Sequence, residues 1–144
     1  MDKDEIVAFH NYVCQVAKIR ELPVTFKNVK SYAGKAMLNK SRTKGHVVYA
    51  DPYLVELENE KLQESIVIHE IAHFVNWWDH MDRYLGCKCD HHGHDFKVIE
   101  RYLLKQFGMR PAYGGKYAIA LFDGEGKILW TNPRTRTSSI YGMD

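Results

Sequence analysis

EKLQESIVIHEIAHFVNWW, residues 60–78, is the most apolar helical stretch of the chain. Leu62, Ile66, Ile68, Ile71, Ala72, Phe74, Val75, Trp77 and Trp78 fall at spacings that cover nearly every side of a helix. A helix apolar all round is buried, so the rest of the domain has to be built about this one. His69, Glu70 and His73 interrupt it, and charge inside a core requires a partner there.

On a helix, residues 69 and 73 stand one turn apart on the same face, so both imidazoles can point at one ion. Zinc accepts such a pair, with Zn–N distances of about 2.0–2.1 Å in a tetrahedral shell. Glu70 lies about 100° further round the helix, off the ligand axis but within reach of a coordinated water. A metal lowers the pKa of such a water towards about 7, and a carboxylate beside it can act as general base. A catalytic zinc site takes three protein ligands and keeps one position open. Candidates for the third crowd into CDHHGHDF, residues 89–96, as His91, His92 and His94.

Towards the N-terminus, Ile6, Phe9, Val13 and Val16 follow one helical face behind Asp2 and Asp4, predicting an amphipathic helix over residues 3–20. Pro23 breaks that pattern, VTFKNV alternates, Gly34 and Gly45 punctuate, and HVVYA reads as a further short strand, so a small sheet precedes the buried helix. Beyond it, residues 79–92 form a loop rich in Asp, His, Gly and Cys. Phe96, Ile99, Leu103 and Phe107 then mark another helical face, ending at Gly108 with Pro111 beyond. KYAIALFDGEGKILWTN, residues 116–132, sets two apolar runs around DGEG and reads as a β-hairpin. The expectation is one α+β domain over residues 1–132, with a loose tail over 133–144.

Composition agrees with that class. A chain of 144 residues buries about two-thirds of the surface it exposes when unfolded, and 45% apolar with 26% charged residues excludes wholesale disorder. A net charge of +2 names no partner. MDKDEIVAFHNYVCQ has acids where a secretory signal has basic residues, and no apolar run approaches the roughly 20 residues of a membrane span, so a cytoplasmic location is expected. Cys14, Cys87 and Cys89 make no disulfide framework. Cys87 and Cys89 with Asp90 and His91 offer donors for a second metal, but two thiolates one residue apart seldom complete a shell, and the simpler reading is an unliganded loop.

HEIAHFVNWW, a loop, and then HGHDF together resemble the SprT-like metallopeptidases, zincins whose signature is H-E-x-x-H followed by H-G-x-x-F. YAGKAML and HVVYADPYLVELENEKLQESIVIHE are similar to that family's strand region and its approach to the active helix, so the resemblance covers residues from about 5 to 107. It implies a compact zincin-like domain, one Zn²⁺ per chain, Glu70 as catalytic base, and His92 as third ligand beside His69 and His73. His94 and His91 stay as alternative ligands or as groups that orient the third one. Phe96 becomes the core anchor one turn after His92. The long loop with its Cys-Lys-Cys and the lack of a following C-x-x-C pair depart from the family pattern and weaken any carry-over of partner binding.

Between Leu22 and Ala50 there is no acid, while Lys27, Lys30, Lys35, Lys40, Arg42 and Lys44 are all basic and Tyr32 lies among them. Lys35, Lys40, Arg42 and Lys44 are the candidate nucleic-acid contacts, able to grip phosphates while an aromatic stacks on a base. The resemblance points the same way, since some relatives act on proteins attached to DNA. Arg134 and Arg136 repeat the hint weakly, and the competing reading is a solvated lysine-rich segment balanced by the acids of residues 51–64. Tyr84, Tyr102, Tyr113 and His94 are candidates for steadying an oxyanion, with nothing in the sequence to choose among them. The expectation is a zinc-dependent peptidase acting on a protein or peptide. Its rivals are an inactive zinc-stabilised module that docks on DNA or a protein, and a metal-dependent nuclease, which carboxylate-rich shells would suit better.

Overall fold

The computed structural model describes residues 1–83 and 92–132, without the side chains of 80–83. Tyr84, Cys87, Cys89, His91, Arg134, Arg136 and the expected tail lie outside the described residues.

Helix α1, Lys3–Val16, opens with a capping box in which Asp2 and Glu5 each accept the other's backbone N–H. It stops short of the expected residue 20. Lys18 turns into the left-handed region at φ 58°, and the Ile19 N–H closes back on the Cys14 carbonyl, which ends the helix. Strands β1 (Val24–Lys27), β2 (Gly34–Leu38) and β3 (Gly45–Ala50) form a sheet of order β1-β3-β2, with β1 parallel and β2 antiparallel to β3.

Helix α2, Glu60–Arg83, is the buried helix and runs past the expected residue 78, because no Gly or Pro interrupts residues 79–83. Asn59 starts it by accepting the Leu62 N–H, and its amide donates to the Leu129 carbonyl, fixing the helix start to the second sheet. Ile66, Val67, Ile68, Ile71, Ala72 and Phe74 are all fully buried.

Helix α3, His94–Gln106, leads into strands β4 (Met109–Tyr113), β5 (Ala118–Asp123) and β6 (Ile128–Thr131), an antiparallel meander. The expected hairpin is β5–β6. β4 is an addition, since Pro111 reads locally as a helix stop; as an edge strand β4 tolerates a residue with no N–H to donate. α2 packs against α1, α3 and both sheets, so the domain is α+β with this helix at its centre. Among the described residues no helix is long and apolar enough to cross a membrane.

Two glycines set how closely α2 approaches the first sheet. A Cβ on Gly34 would lie 3.0 Å from Glu70 Cγ, and one on Gly45 would lie 2.0 Å from Phe74 Cε1. Glu70 and Phe74 are one turn apart, and Gly34 and Gly45 sit at opposite ends of the β2–β3 ladder. The helix therefore lies on the hairpin with one side chain seated at each glycine.

Candidate metal centre

His69 and His73 project from the middle of α2, and His92 from the turn just before α3. Each offers a ring nitrogen, and the three nitrogens lie within 4.8 Å of one another. Nε2 of His69 and Nε2 of His92 are 3.2 Å apart. Two nitrogens bound to one tetrahedral zinc are separated by about 3.3 Å, so this pair already has the spacing of two ligands on one ion. The group is buried, with exposures of 1%, 1% and 7% for His69, His73 and His92, so what solvent access the imidazoles have is at His92.

Phe96, fully buried on the first turn of α3, packs its ring against all three imidazoles at centroid distances of 4.9, 4.5 and 5.2 Å. Trp77 stacks on His73 from the other side at 5.2 Å. Gly93, in an extended conformation, is the N-cap of α3 and links His92 to the helix without a side-chain cap bond. His94 is exposed at the first position of α3 and is not among the three grouped nitrogens.

Behind the histidines is a carboxylate supplied by α3, Glu100. Glu100 Oε2 lies 2.6 Å from His69 Nδ1, and its Oε1 accepts a hydrogen bond from the Tyr113 hydroxyl. Burial alone would raise the carboxyl pKa. The adjoining His69 ring, its hydrogen bond and that from Tyr113 outweigh burial and hold the group below its ordinary value. Its signal in the sequence is a lone acid on the apolar face of α3, among Phe96, Leu103 and Leu104.

Glu70 is fully buried, with its Cγ seated against Gly34. The residues matched by the sequence model of the SprT-like family are 5–112, a span that runs from α1 into β4 and takes in His69, Glu70, His73 and His92. The chain belongs to the SprT-like family. No curated protein and no solved structure matches it. A SprT-like domain has a metallopeptidase-like fold and is associated with zinc, and the three grouped histidines can hold a metal ion. Their donor set fits zinc: three imidazoles whose nitrogens lie within 4.8 Å of one another, one of them hydrogen-bonded through its other nitrogen to a carboxylate.

The basic candidates of this SprT-like chain lie on the β2–β3 hairpin. Lys35 is half-buried on β2 with its ammonium 5.6 Å from the Tyr32 ring, while Lys40 and Lys44 are exposed on the connecting turn around a half-buried Arg42. The turn is tied to α2, since Trp78 Nε1 donates to the Arg42 carbonyl at 3.1 Å and Arg20 both donates to the Thr43 carbonyl and stacks on the Trp78 ring. Of the candidate oxyanion residues, Tyr102 is 61% exposed and Tyr113 is engaged by Glu100. An unforeseen tyrosine, Tyr117, packs its ring 4.8 Å from His92 and 6.5 Å from His69. It lies just before β5 with no periodic signal to mark it.

Proposed function

We propose that this SprT-like chain is a zinc-dependent peptidase in which His69, His73 and His92 hold one Zn²⁺ and Glu70 is the general base. The observation that carries the reading is the convergence within 4.8 Å of three ring nitrogens, two of them from the helix that also bears the buried Glu70 and the third from the turn before α3. When bound, zinc supplies a Lewis acid that polarises a carbonyl and lowers the pKa of water towards about 7. Glu70 takes the proton of the attacking water and delivers it to the leaving amine. Gly34 leaves the space in which the Glu70 side chain sits, and Tyr117 places a hydroxyl-bearing ring beside His92, the most open of the three ligands.

Elemental analysis and Glu70→Gln together test this. The expected result is one zinc per chain in both proteins, and turnover of a protein substrate in the variant lower by about 10²–10⁴-fold. A variant as active as the parent removes Glu70 from the chemistry, and a parent purified without chelators that carries no zinc overturns the metal reading.

The substrates we propose are proteins held on DNA. Supporting this is a turn that presents Lys40 and Lys44 to solvent while Trp78 and Arg20 brace it on α2. A single-stranded oligonucleotide should bind, and Lys40→Ser with Lys44→Ser should lower the slope of log K against log salt by about 1.4, two phosphates' worth. No binding to the parent at low salt removes this part and leaves the peptidase reading intact. The rival reading, an inactive module docking on DNA or protein, predicts that Glu70→Gln alters nothing measurable.

A further inference from the structure

Glu100 occupies a costly position. α3 buries it at 3% exposure beside Leu103 and Leu104, and an ionised carboxylate is stable there only if its oxygens are satisfied. Both are: Oε2 by His69 Nδ1 and Oε1 by the Tyr113 hydroxyl. The three groups come from three elements, α2, α3 and β4.

We propose that Glu100 and Tyr113 are positioning residues for the metal site, with Glu100 holding His69 as the Nδ1–H tautomer and Tyr113 holding Glu100. The inference rests on the reading of the three histidines as a metal centre. A carboxylate oxygen can only accept, so the proton of a neutral His69 lies on Nδ1 and the lone pair on Nε2. Nε2 is the nitrogen 3.2 Å from His92 Nε2, so the tautomer that Glu100 selects aims a free electron pair at the point where the three histidines converge. Without Glu100 the ring can place its proton on Nε2, which is no ligand, or rotate about χ2. Tyr113 acts through Glu100: its hydroxyl occupies the second oxygen, keeps the carboxylate from rotating, and links the position of the β4–β6 sheet to the aim of a residue on α2. Metal affinity is thus built partly by a sheet that supplies no ligand.

The test measures Zn²⁺ affinity of the full chain by competition with a chromophoric chelator, and the visible spectrum of the Co²⁺-loaded protein, for the parent, Glu100→Gln, Tyr113→Phe and the double variant. Glu100→Gln is isosteric and Tyr113→Phe removes one oxygen, so at least one variant should fold. Loss of an orienting partner of this kind costs about 10–100-fold in metal affinity. Expected is a loss in that range for Glu100→Gln with a shifted Co²⁺ spectrum, a smaller loss for Tyr113→Phe, and a double variant no weaker than Glu100→Gln alone, because the inference has the tyrosine act through Glu100. A merely structural pair would lower the stability of the metal-free protein and leave affinity and spectrum unchanged. Affinities within threefold of the parent in both single variants overturn the inference while the metal reading stands. A parent that binds neither Zn²⁺ nor Co²⁺ overturns the metal reading itself, and the inference falls with it.

Discussion

His10 is fully buried on α1, and its two ring nitrogens have different partners: Nε2 faces the Leu22 carbonyl at 3.0 Å and Nδ1 faces the Tyr49 hydroxyl at 2.7 Å. A carbonyl only accepts, so Nε2 carries the proton and Nδ1 accepts from Tyr49. Burial drives the His10 pKa down to about 4, against a smaller upward pull from the Leu22 bond. The folded pKa lies below the unfolded one, so the unfolded chain binds the extra proton, and stability present above pH 6.5 is lost as the pH falls towards 4. The loss between pH 7.5 and pH 5 should be about 2 kcal/mol. Urea unfolding of the metal-free protein at those two pH values, set against His10→Gln, reads it directly; an equal pH effect in both proteins would show that His10 is not held neutral. Tyr117 carries a different prediction. If its hydroxyl steadies the developing oxyanion, Tyr117→Phe lowers kcat about 10²-fold with KM little changed and zinc retained, and a kcat within twofold of the parent would remove it from the chemistry.

Elements meet where one of them gives way. α2 reaches the β2–β3 hairpin because Gly34 and Gly45 have no side chains, and the two contacts differ in kind. Gly45→Ala puts a Cβ 2.0 Å from one carbon of the fully buried Phe74 ring and 2.8 Å from another. The ring, next in sequence to His73, has to shift, and the expected cost is about 1–3 kcal/mol in thermal or urea unfolding. Gly34→Ala meets the flexible Glu70 side chain at 3.0 Å, a conflict relieved by a few tenths of an ångström. Its stability should change little, while kcat/KM should fall if Glu70 is the general base, because that side chain is displaced. The reverse pattern, Gly45→Ala neutral in stability or Gly34→Ala neutral in turnover, would mean that the helix rests on the sheet elsewhere. In the sequence these glycines read only as punctuation, because Glu70 and Phe74 are distant in the chain. α1, α2 and α3 are legible since helical periodicity is a local property, whereas β4 is hidden by Pro111, whose missing N–H matters only away from an edge. His69 and His73 are legible for the same local reason, and HGHDF marks His92 beside them. Glu100, Tyr113 and Tyr117 are not, as each acquires its meaning only when α3 and the second sheet fold back on α2.

At the scale of the molecule, the three histidines join two parts of the chain. His69 and His73 belong to the central helix, while His92 stands at the head of α3, which carries Phe96, Glu100 and the path into the second sheet. A metal bound to all three is a cross-link between these parts, formed only in the folded state, and it adds RT ln(1 + [L]/Kd) to stability, about 4 kcal/mol at a thousandfold excess over Kd. For a domain of this size that corresponds to a rise in Tm on the order of 10 °C. Removing the metal also leaves three imidazoles packed on Phe96 in a site with 1–7% exposure, where one proton too many is a buried charge. Calorimetry of the zinc-loaded protein, of the same protein after chelation, and of His92→Ala should therefore give a high Tm for the first and a low Tm for the other two, with added zinc restoring only the chelated parent. A parent whose Tm is the same before and after proven loss of zinc would show that the fold closes around the site without help from the ion. The expected result makes the ion part of the architecture, because the contact it forms is between α2, which carries His69, Glu70 and His73, and the start of α3, which carries Glu100 and follows His92.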